Sequence, residues 1–162
     1  MLGAAEALNI LSYSLIISSQ QQIPDTAQYG SDYYTGGTGN TETFYRSMSQ
    51  ADYQKLLETG RIPATGETFI SPSQAYSSGY GGVLVEFNVN AGTTSALQSI
   101  GVRDASSLTG TLYADMPGVS SGWTNYNAFF KAEGSVVNIG LGQGNALNTF
   151  NNNIVSFRAI GG

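Results

Sequence analysis

The sequence contains no cysteine and no histidine. These absences exclude disulfide bonds, thiolate nucleophiles, zinc sites built on Cys or His, and Ser-His-Asp catalytic triads. Any catalysis must therefore use carboxylates, Arg, Lys, hydroxyl groups and the backbone. We accordingly predict a site that holds no metal.

Charge is also scarce, since only 10% of the 162 residues are charged and the net charge is −5. The six cations are scattered along the chain: Arg46, Lys55, Arg61, Arg103, Lys131 and Arg158. Proteins that bind nucleic acid usually cluster Lys and Arg against the phosphates, so a nucleic-acid partner is disfavoured. An acidic surface instead suits docking by a basic protein.

The apolar stretch 2–17 is interrupted by Glu6 and Asn9 and has no basic start. It is a poor signal peptide and is shorter than the roughly 20 residues of a membrane span, so we predict no membrane association. Residues 18–40 have the Gln-, Ser-, Gly- and Thr-rich composition of a linker. We therefore predict an N-terminal helix and linker over 1–40, and one compact domain over 41–162.

Within that domain, hydrophobic patterning predicts an α+β fold with a helix early and strands dominating later. Ser49 is predicted to cap a helix, with Asp52 three residues on, and Gly60 to end it. No Gly-x-Gly-x-x-Gly motif joins a strand to a helix, so a Rossmann fold is not supported. Strands are predicted at 43–48, 67–71, 83–89, 109–113, 126–131, 135–141 and 154–160, and short helices at 94–100 and 145–151.

Three segments carry candidate chemistry. Arg46 lies in a short, mostly apolar strand, where a lone guanidinium is costly unless it meets an anion. Ser71-Pro-Ser73 ends the next strand, and Glu133 lies late in the chain, just before another strand. The order Arg, Ser, Glu resembles that of the Arg–Ser–Glu class of ADP-ribosyltransferases.

The wider stretch from about residue 43 to residue 160 resembles the C-terminal toxin domains of Rhs polymorphic toxins, in the ADP-ribosyltransferase group called TreTu. This resemblance implies an ADP-ribosyltransferase-like split mixed β-sheet core with short flanking helices. The segments that carry it are Phe44-Tyr-Arg-Ser-Met-Ser49, Thr68-Phe-Ile-Ser-Pro-Ser73, Val83-Leu-Val-Glu-Phe87, Gly101-Val-Arg-Asp104 and Asn127-Ala-Phe-Phe-Lys-Ala-Glu133.

The resemblance also implies roles around NAD⁺ as substrate. Arg46 would engage the pyrophosphate through charge-assisted hydrogen bonds, and the backbone of Ser47 would hold the nicotinamide amide. Ser71 would contact the ribose and orient the catalytic carboxylate, and Ser73 would contact the dinucleotide. Glu133 would stabilise the positive charge that develops on the ribose as nicotinamide leaves.

An aromatic ring is expected against the nicotinamide, because aromatic faces stack on a planar pyridinium. Tyr80 lies at nearly the expected interval after Ser71, and Tyr76 and Phe69 are alternatives. Trp123, in the loop by which relatives recognise their target, is either an exposed interface residue or part of the core.

The sequence departs from the pattern of the ADP-ribosyltransferases it resembles at two positions, which leaves the chemistry of the acceptor open. Relatives usually carry Glu or Gln two residues before the catalytic Glu, where this chain has Lys131, and the middle of the serine turn is proline. Glu86 is an alternative both as the catalytic carboxylate and as a structural partner for Arg46.

The resemblance implies a secreted antibacterial effector, delivered as in type VI secretion, that acts in the cytoplasm of the target bacterium. It would ADP-ribosylate elongation factor Tu, block translation, and be countered by a cognate immunity protein. An NAD⁺ glycohydrolase toxin is the alternative enzyme. A β-rich adhesion module is the non-enzymatic alternative, since low charge with abundant Gly, Asn and Thr also fits that class.

Overall fold

The computed structural model describes residues 40–119 and 126–161, and over these ranges it confirms the predicted α+β class. The strands are β1 (Thr41–Met48), β2 (Phe69–Ile70), β3 (Val83–Asn90), β4 (Gly101–Arg103), β5 (Ala128–Glu133), β6 (Val136–Gly140) and β7 (Ile154–Gly161). The helices are α1 (Gln50–Thr59), α2 (Gln74–Ser78), α3 (Thr93–Gln98), α4 (Ser107–Leu112) and α5 (Asn145–Asn152). None of the helices in these ranges combines the length and apolar character needed to cross a membrane. The predicted helix and linker over 1–40, apart from Asn40 itself, lie outside the described residues, as does Trp123.

The strands form two sheets that meet at one bridge. The first has the order β1-β3-β7, and the second has the order β2-β6-β5-β4, in which β4 runs parallel to β5 and the other pairs are antiparallel. Between the sheets, the Tyr45 N–H donates to the Ser71 carbonyl at 2.7 Å, and the Ser71 N–H donates back to the Tyr45 carbonyl at 3.0 Å. This arrangement agrees with the predicted split, mixed sheet.

Local signals set the ends of α1 as predicted. The Ser49 side chain accepts a hydrogen bond from the Asp52 N–H at 3.1 Å, which satisfies a backbone donor that has no partner within the helix. Gly60 has φ 71°, a left-handed conformation that glycine adopts without strain, and its N–H donates to the Leu56 carbonyl at 2.7 Å. Leu56 is fully buried and holds the helix to the core.

The hydrophobic core lies against β3 and α5. Val85, Phe87 and Val89 are fully buried, as the alternation along 83–89 predicts. Phe150 of α5 meets Phe87 and Phe44 edge to face, with ring centroids 5.8 and 5.9 Å apart. These contacts pack α5 on the three-stranded sheet and leave the junction of the two sheets open to solvent on another side.

The prediction of a strand at 109–113 is wrong, because this segment belongs to helix α4. The Ser106 side chain accepts a hydrogen bond from the Thr109 N–H at 3.2 Å and so caps the helix. Tyr113 then packs edge to face on Phe130 of β5, with centroids 4.8 Å apart. The β-propensity of Thr and Tyr is overridden here by a local cap and by tertiary packing. Helix α2 and strand β4 were not predicted.

Candidate active site

A cleft of about 540 Å³ opens at the junction of the two sheets. This volume lies in the roughly 300–1,000 Å³ range of small-molecule sites. Five of the predicted site residues line it: Arg46, Ser47, Ser71, Tyr80 and Glu133. The fold therefore brings together residues that are as many as 87 positions apart along the chain.

The bridge between the sheets fixes Arg46 and Ser71 relative to each other. Arg46 directly follows Tyr45, and Tyr45 exchanges two backbone hydrogen bonds with Ser71. Ser71 is 2% exposed, and its Oγ accepts a hydrogen bond from the Ser73 N–H at 3.1 Å. The backbone therefore fixes the relative positions of the chain segments that carry Arg46 and Ser71.

The Arg46 side chain is part-buried and has no carboxylate partner in the part of the chain that the structure describes. Its two terminal nitrogens donate to the Phe69 carbonyl at 2.7 Å and to the Thr65 hydroxyl at 3.1 Å, while its buried Nε has no hydrogen-bond partner among the described residues. Burial lowers the pKa of Arg46, and Asp52 opposes this change. A part-buried cation whose N–H groups are only partly used is suited to meeting an anion.

Glu86, the alternative partner for Arg46, is engaged elsewhere. The Arg158 Nε donates to its Oε1 at 2.9 Å, and the Tyr45 hydroxyl donates to its Oε2 at 3.4 Å. Glu86 does not line the cleft, so its position supports neither of the alternative roles considered for it.

Glu133 is the last residue of β5 and precedes a two-residue hairpin turn in which Gly134 has φ 65°. Its carboxylate is one-third exposed, and its Oε2 lies 3.1 Å from the Lys131 ammonium. The hydrogen bond to Glu133 raises the pKa of Lys131. Lys131 therefore holds a cation beside the candidate catalytic carboxylate.

Strand register explains why these polar groups share one face. Alternate residues of a strand point to the same side, and directly paired residues of adjacent strands do as well. Lys131 pairs with Asn138, so both face the cleft together with Glu133. The opposite face of the same sheet is buried and apolar, with Ile70, Phe130 and Ile139 in the core.

Phe69 lies over Gly140, its register partner on β6. A Cβ atom at Gly140 would lie 2.9 Å from the Phe69 ring, so only glycine leaves room for the ring in this position. The Lys131 ammonium is 5.9 Å from the ring centroid, within the range of a cation–π contact. Phe69 is thus an aromatic surface in the cleft, close to the charged pair.

Tyr80 and its alternative Tyr76 act as a pair. Their hydroxyl groups are 2.8 Å apart and their ring centroids 5.5 Å apart, and Tyr80 is 59% exposed. The hydrogen bond to Tyr80 raises the pKa of Tyr76 to about 12. Both rings line the cleft, at the end of α2.

Ser73 has a local structural task. Its Oγ accepts a hydrogen bond from the Tyr76 N–H at 3.1 Å and caps α2. Ser73 is not among the residues that line the cleft, so its contact with a dinucleotide stays a prediction. The neighbouring Ser47 hydroxyl donates to the Ser77 carbonyl at 2.6 Å and ties α2 to β1.

Asn138 lines the cleft and was not predicted. A signal for it exists in the sequence, because Val136-Val-Asn-Ile-Gly140 places one amide in the middle of an otherwise apolar strand. Polar residues at such positions need a partner or a function.

A comparison with protein families assigns residues 40–159 to the PT3 toxin domain. The chain belongs to this family. The prediction of a toxin domain is therefore confirmed, and a PT3 domain is consistent with a secreted effector. A comparison with curated proteins finds no match.

Proposed function

We propose that this PT3 domain is an ADP-ribosyltransferase, which breaks the nicotinamide–ribose bond of NAD⁺ and transfers ADP-ribose to a target protein. The observation that carries the proposal is the cleft itself. A guanidinium, a hydroxyl and a carboxylate (Arg46, Ser71 and Glu133) come from three distant stretches of chain and line one cavity. Their order along the chain is that of the Arg–Ser–Glu class.

The part-buried Arg46 supports a phosphate-bearing substrate. Its guanidinium lacks a carboxylate partner among the described residues and keeps an unused Nε–H. A pyrophosphate would supply the missing negative charge and the missing acceptor in a site where few water molecules compete.

Glu133 supports cleavage of a glycosidic bond. When the carbon–nitrogen bond breaks, its electron pair leaves with nicotinamide and positive charge develops on the ribose. A carboxylate held in place stabilises this charge, and preorganised electrostatics of this kind is often the largest catalytic contribution. Lys131 restrains the Glu133 side chain through the ion pair, and the buried Ser71 hydroxyl is available to orient the ribose.

The resemblance to TreTu domains suggests elongation factor Tu of the target bacterium as the acceptor. The net charge of −5 favours a protein acceptor over nucleic acid. A toxin of this kind also implies a cognate immunity protein in the producing cell, and covering the cleft is the simplest way for that protein to block activity.

The proposal is tested by incubating the domain with labelled NAD⁺ and a bacterial lysate, and then with purified elongation factor Tu. We expect label on one protein, and a loss of about 100-fold or more in rate for Glu133→Gln. Glu58→Gln is the matched control, since Glu58 is an exposed carboxylate on α1 that does not line the cleft. Intact NAD⁺ after prolonged incubation, or full activity of Glu133→Gln, would contradict the proposal.

An NAD⁺ glycohydrolase is the second candidate, and the ion pair between Lys131 and Glu133 favours it. In relatives the residue at the position of Lys131 helps to activate the acceptor, and an ammonium cannot accept a proton from it. The same incubation separates the two activities. Free ADP-ribose without labelled protein indicates the hydrolase, and Lys131→Gln would then be expected to shift product towards transfer.

A further inference from the structure

Asn138 carries a buried amide that the fold does not use. The residue is 1% exposed, and neither its Nδ2 nor its Oδ1 has a hydrogen-bond partner among residues 40–119 and 126–161. A neighbouring polar group is the Tyr76 hydroxyl, whose interaction with the Asn138 amide opposes the rise in the pKa of Tyr76, although the two groups do not meet the distance and angles of a full hydrogen bond. Buried polar atoms without partners are rare and destabilise the folded state, so each one calls for an explanation.

Asn151 shows what a structural asparagine looks like in this fold. It is also buried, but its Oδ1 accepts from the Ile62 N–H at 2.8 Å and its Nδ2 donates to the Ile62 carbonyl at 3.1 Å. Both halves of that amide join α5 to the segment after α1. Asn138 makes no such connection.

The position of Asn138 points to a ligand. Strand β6 lies between β2 and β5, so Asn138 has Lys131 as its partner on one side, and continuing the register of β2 and β6 one step past the Ile70–Ile139 pair places Ser71 opposite it on the other. All three residues line the cleft, together with Glu133 and Phe69. The unused amide is therefore at the centre of the polar face, next to the groups assigned to bond cleavage.

We infer that Asn138 is a specificity-determining residue that binds the carboxamide of nicotinamide. This inference rests on the proposed function. A primary amide offers one donor and one acceptor side by side, and another carboxamide complements both while keeping its second N–H and its second oxygen lone pair for the backbone of Ser47. Adenine presents a similar edge, but Ser71 and Glu133 place Asn138 at the reacting end of the dinucleotide. Nicotinic acid, with a carboxylate, would leave the Asn138 oxygen facing a second acceptor.

Binding requires a side chain to move, because the amide atoms of Asn138 are covered in this structure. We expect Tyr76 to be the group that moves aside. It neighbours Asn138, it lines the cleft, and its hydroxyl is held by Tyr80, which is itself largely exposed. A ligand carboxamide would take the place of the Tyr76 hydroxyl beside Asn138.

The test measures the affinity of the full chain for nicotinamide, nicotinic acid and ADP-ribose by titration calorimetry. We expect the unsubstituted protein to prefer nicotinamide to nicotinic acid by about 10-fold or more. Asn138→Ala should weaken nicotinamide binding by about 10-fold or more and leave ADP-ribose binding within about 2-fold. Asn151→Ala is the matched control and should lower stability while keeping both the affinities and the preference.

Stability separates a functional amide from a structural one. Asn138→Leu removes the unsatisfied atoms, so its midpoint of thermal unfolding should equal or exceed that of the unsubstituted protein while nicotinamide binding is lost. If the midpoint of thermal unfolding falls and the affinities for nicotinamide and ADP-ribose are lost together, the role of Asn138 is structural and the inference is overturned.

The remaining outcomes are also decisive. If Asn138→Ala weakens the affinities for nicotinamide and ADP-ribose equally, Asn138 contacts the adenine end or the scaffold. That result overturns the inference but leaves the proposed function standing. Unchanged nicotinamide affinity in that variant does the same. If the unsubstituted protein binds neither ADP-ribose nor nicotinamide, the proposed function fails together with the inference.

Discussion

Both carboxylate oxygens of Asp104 accept hydrogen bonds, and replacing Asp104 with Asn gives a quantitative test of the structure. Its Oδ1 accepts hydrogen bonds from the Ser106 hydroxyl at 2.6 Å, the Thr109 hydroxyl at 2.7 Å and the Ser106 N–H at 3.1 Å. Its Oδ2 accepts from the Ala132 N–H at 2.8 Å. The carboxylate therefore anchors the start of α4 to the end of β5, one residue before Glu133.

The magnitude follows from the pKa. Partial burial raises the pKa of Asp104, but the hydrogen bonds from Ser106, Thr109 and the Ala132 backbone outweigh burial and lower it to about 2 from the usual 3.8. At ~1.4 kcal/mol per pH unit, this corresponds to about 2 kcal/mol of folding stability. Solvent screening at a half-buried site reduces it to between about 1 and 2 kcal/mol.

The sign of the pH dependence is set by the direction of the change. Because folding lowers the pKa, the stabilisation is complete above about pH 4 and is lost as the pH falls towards 2. Asp104→Asn places an amide donor against hydrogen-bond donors at every pH. The difference in unfolding free energy between the two proteins should therefore shrink to about half its neutral value near pH 3.

The assay is urea denaturation of both proteins at pH 7 and pH 3, with Asp115→Asn as a control at an exposed carboxylate. We expect Asp104→Asn to lose about 1–2 kcal/mol at pH 7 and the control to lose less than about 0.5 kcal/mol. Equal stability of Asp104→Asn and the unsubstituted protein at pH 7 would refute the reasoning. A difference that stays constant down to pH 3 would refute it as well.

Three further predictions concern the cleft and its supports. Arg46→Lys keeps the charge but loses the fork of donors, so calorimetry should show at least ~10-fold weaker ADP-ribose binding. Gly82→Ala, at φ 103°, would push its Cβ into a β1 carbonyl, so its free energy of unfolding in urea should fall by more than ~2 kcal/mol. Gly92→Ala, at φ 94° in open space, should lose only about 1–2 kcal/mol. Equal losses in the two variants would contradict this. Gly140→Ala should drive the Phe69 ring into the cleft and weaken nicotinamide binding with little change in thermal unfolding, and unchanged binding would count against the assigned ring position.

Local structure was predictable where the signals lie within a few residues of one another. The cap at Ser49, the left-handed Gly60 and the alternation along β3 depend on neighbours in the chain, and each was predicted correctly. The segment 109–113 was predicted wrongly because Thr and Tyr favour strands, while the deciding hydrogen bonds come from Ser106 and from Asp104, which also holds the distant β5.

The site was predictable only in part. Arg46, Ser71 and Glu133 were singled out by their order in the chain, and the structure places them in one cleft. Their catalytic roles stay predictions. Asn138 was missed, because an amide in an apolar strand has meaning only once its register partner and the missing hydrogen bonds are known. Glu86 was considered a partner for Arg46, and only the pairing of β3 with β7 shows that it meets Arg158 instead.

By itself, the sequence determined which chemistries are impossible, which segments are apolar on one face, and where the first helix begins and ends. These properties depend on residue type and on interactions within a turn or two of chain. The tertiary structure alone decided that the two sheets meet at Tyr45 and Ser71, that Arg46, Ser71 and Glu133 line one cleft, and that the Asn138 amide has no hydrogen-bond partner among the described residues. Such contacts join residues far apart in sequence, and strand register and shared burial select them over the many alternatives that the same residue types allow.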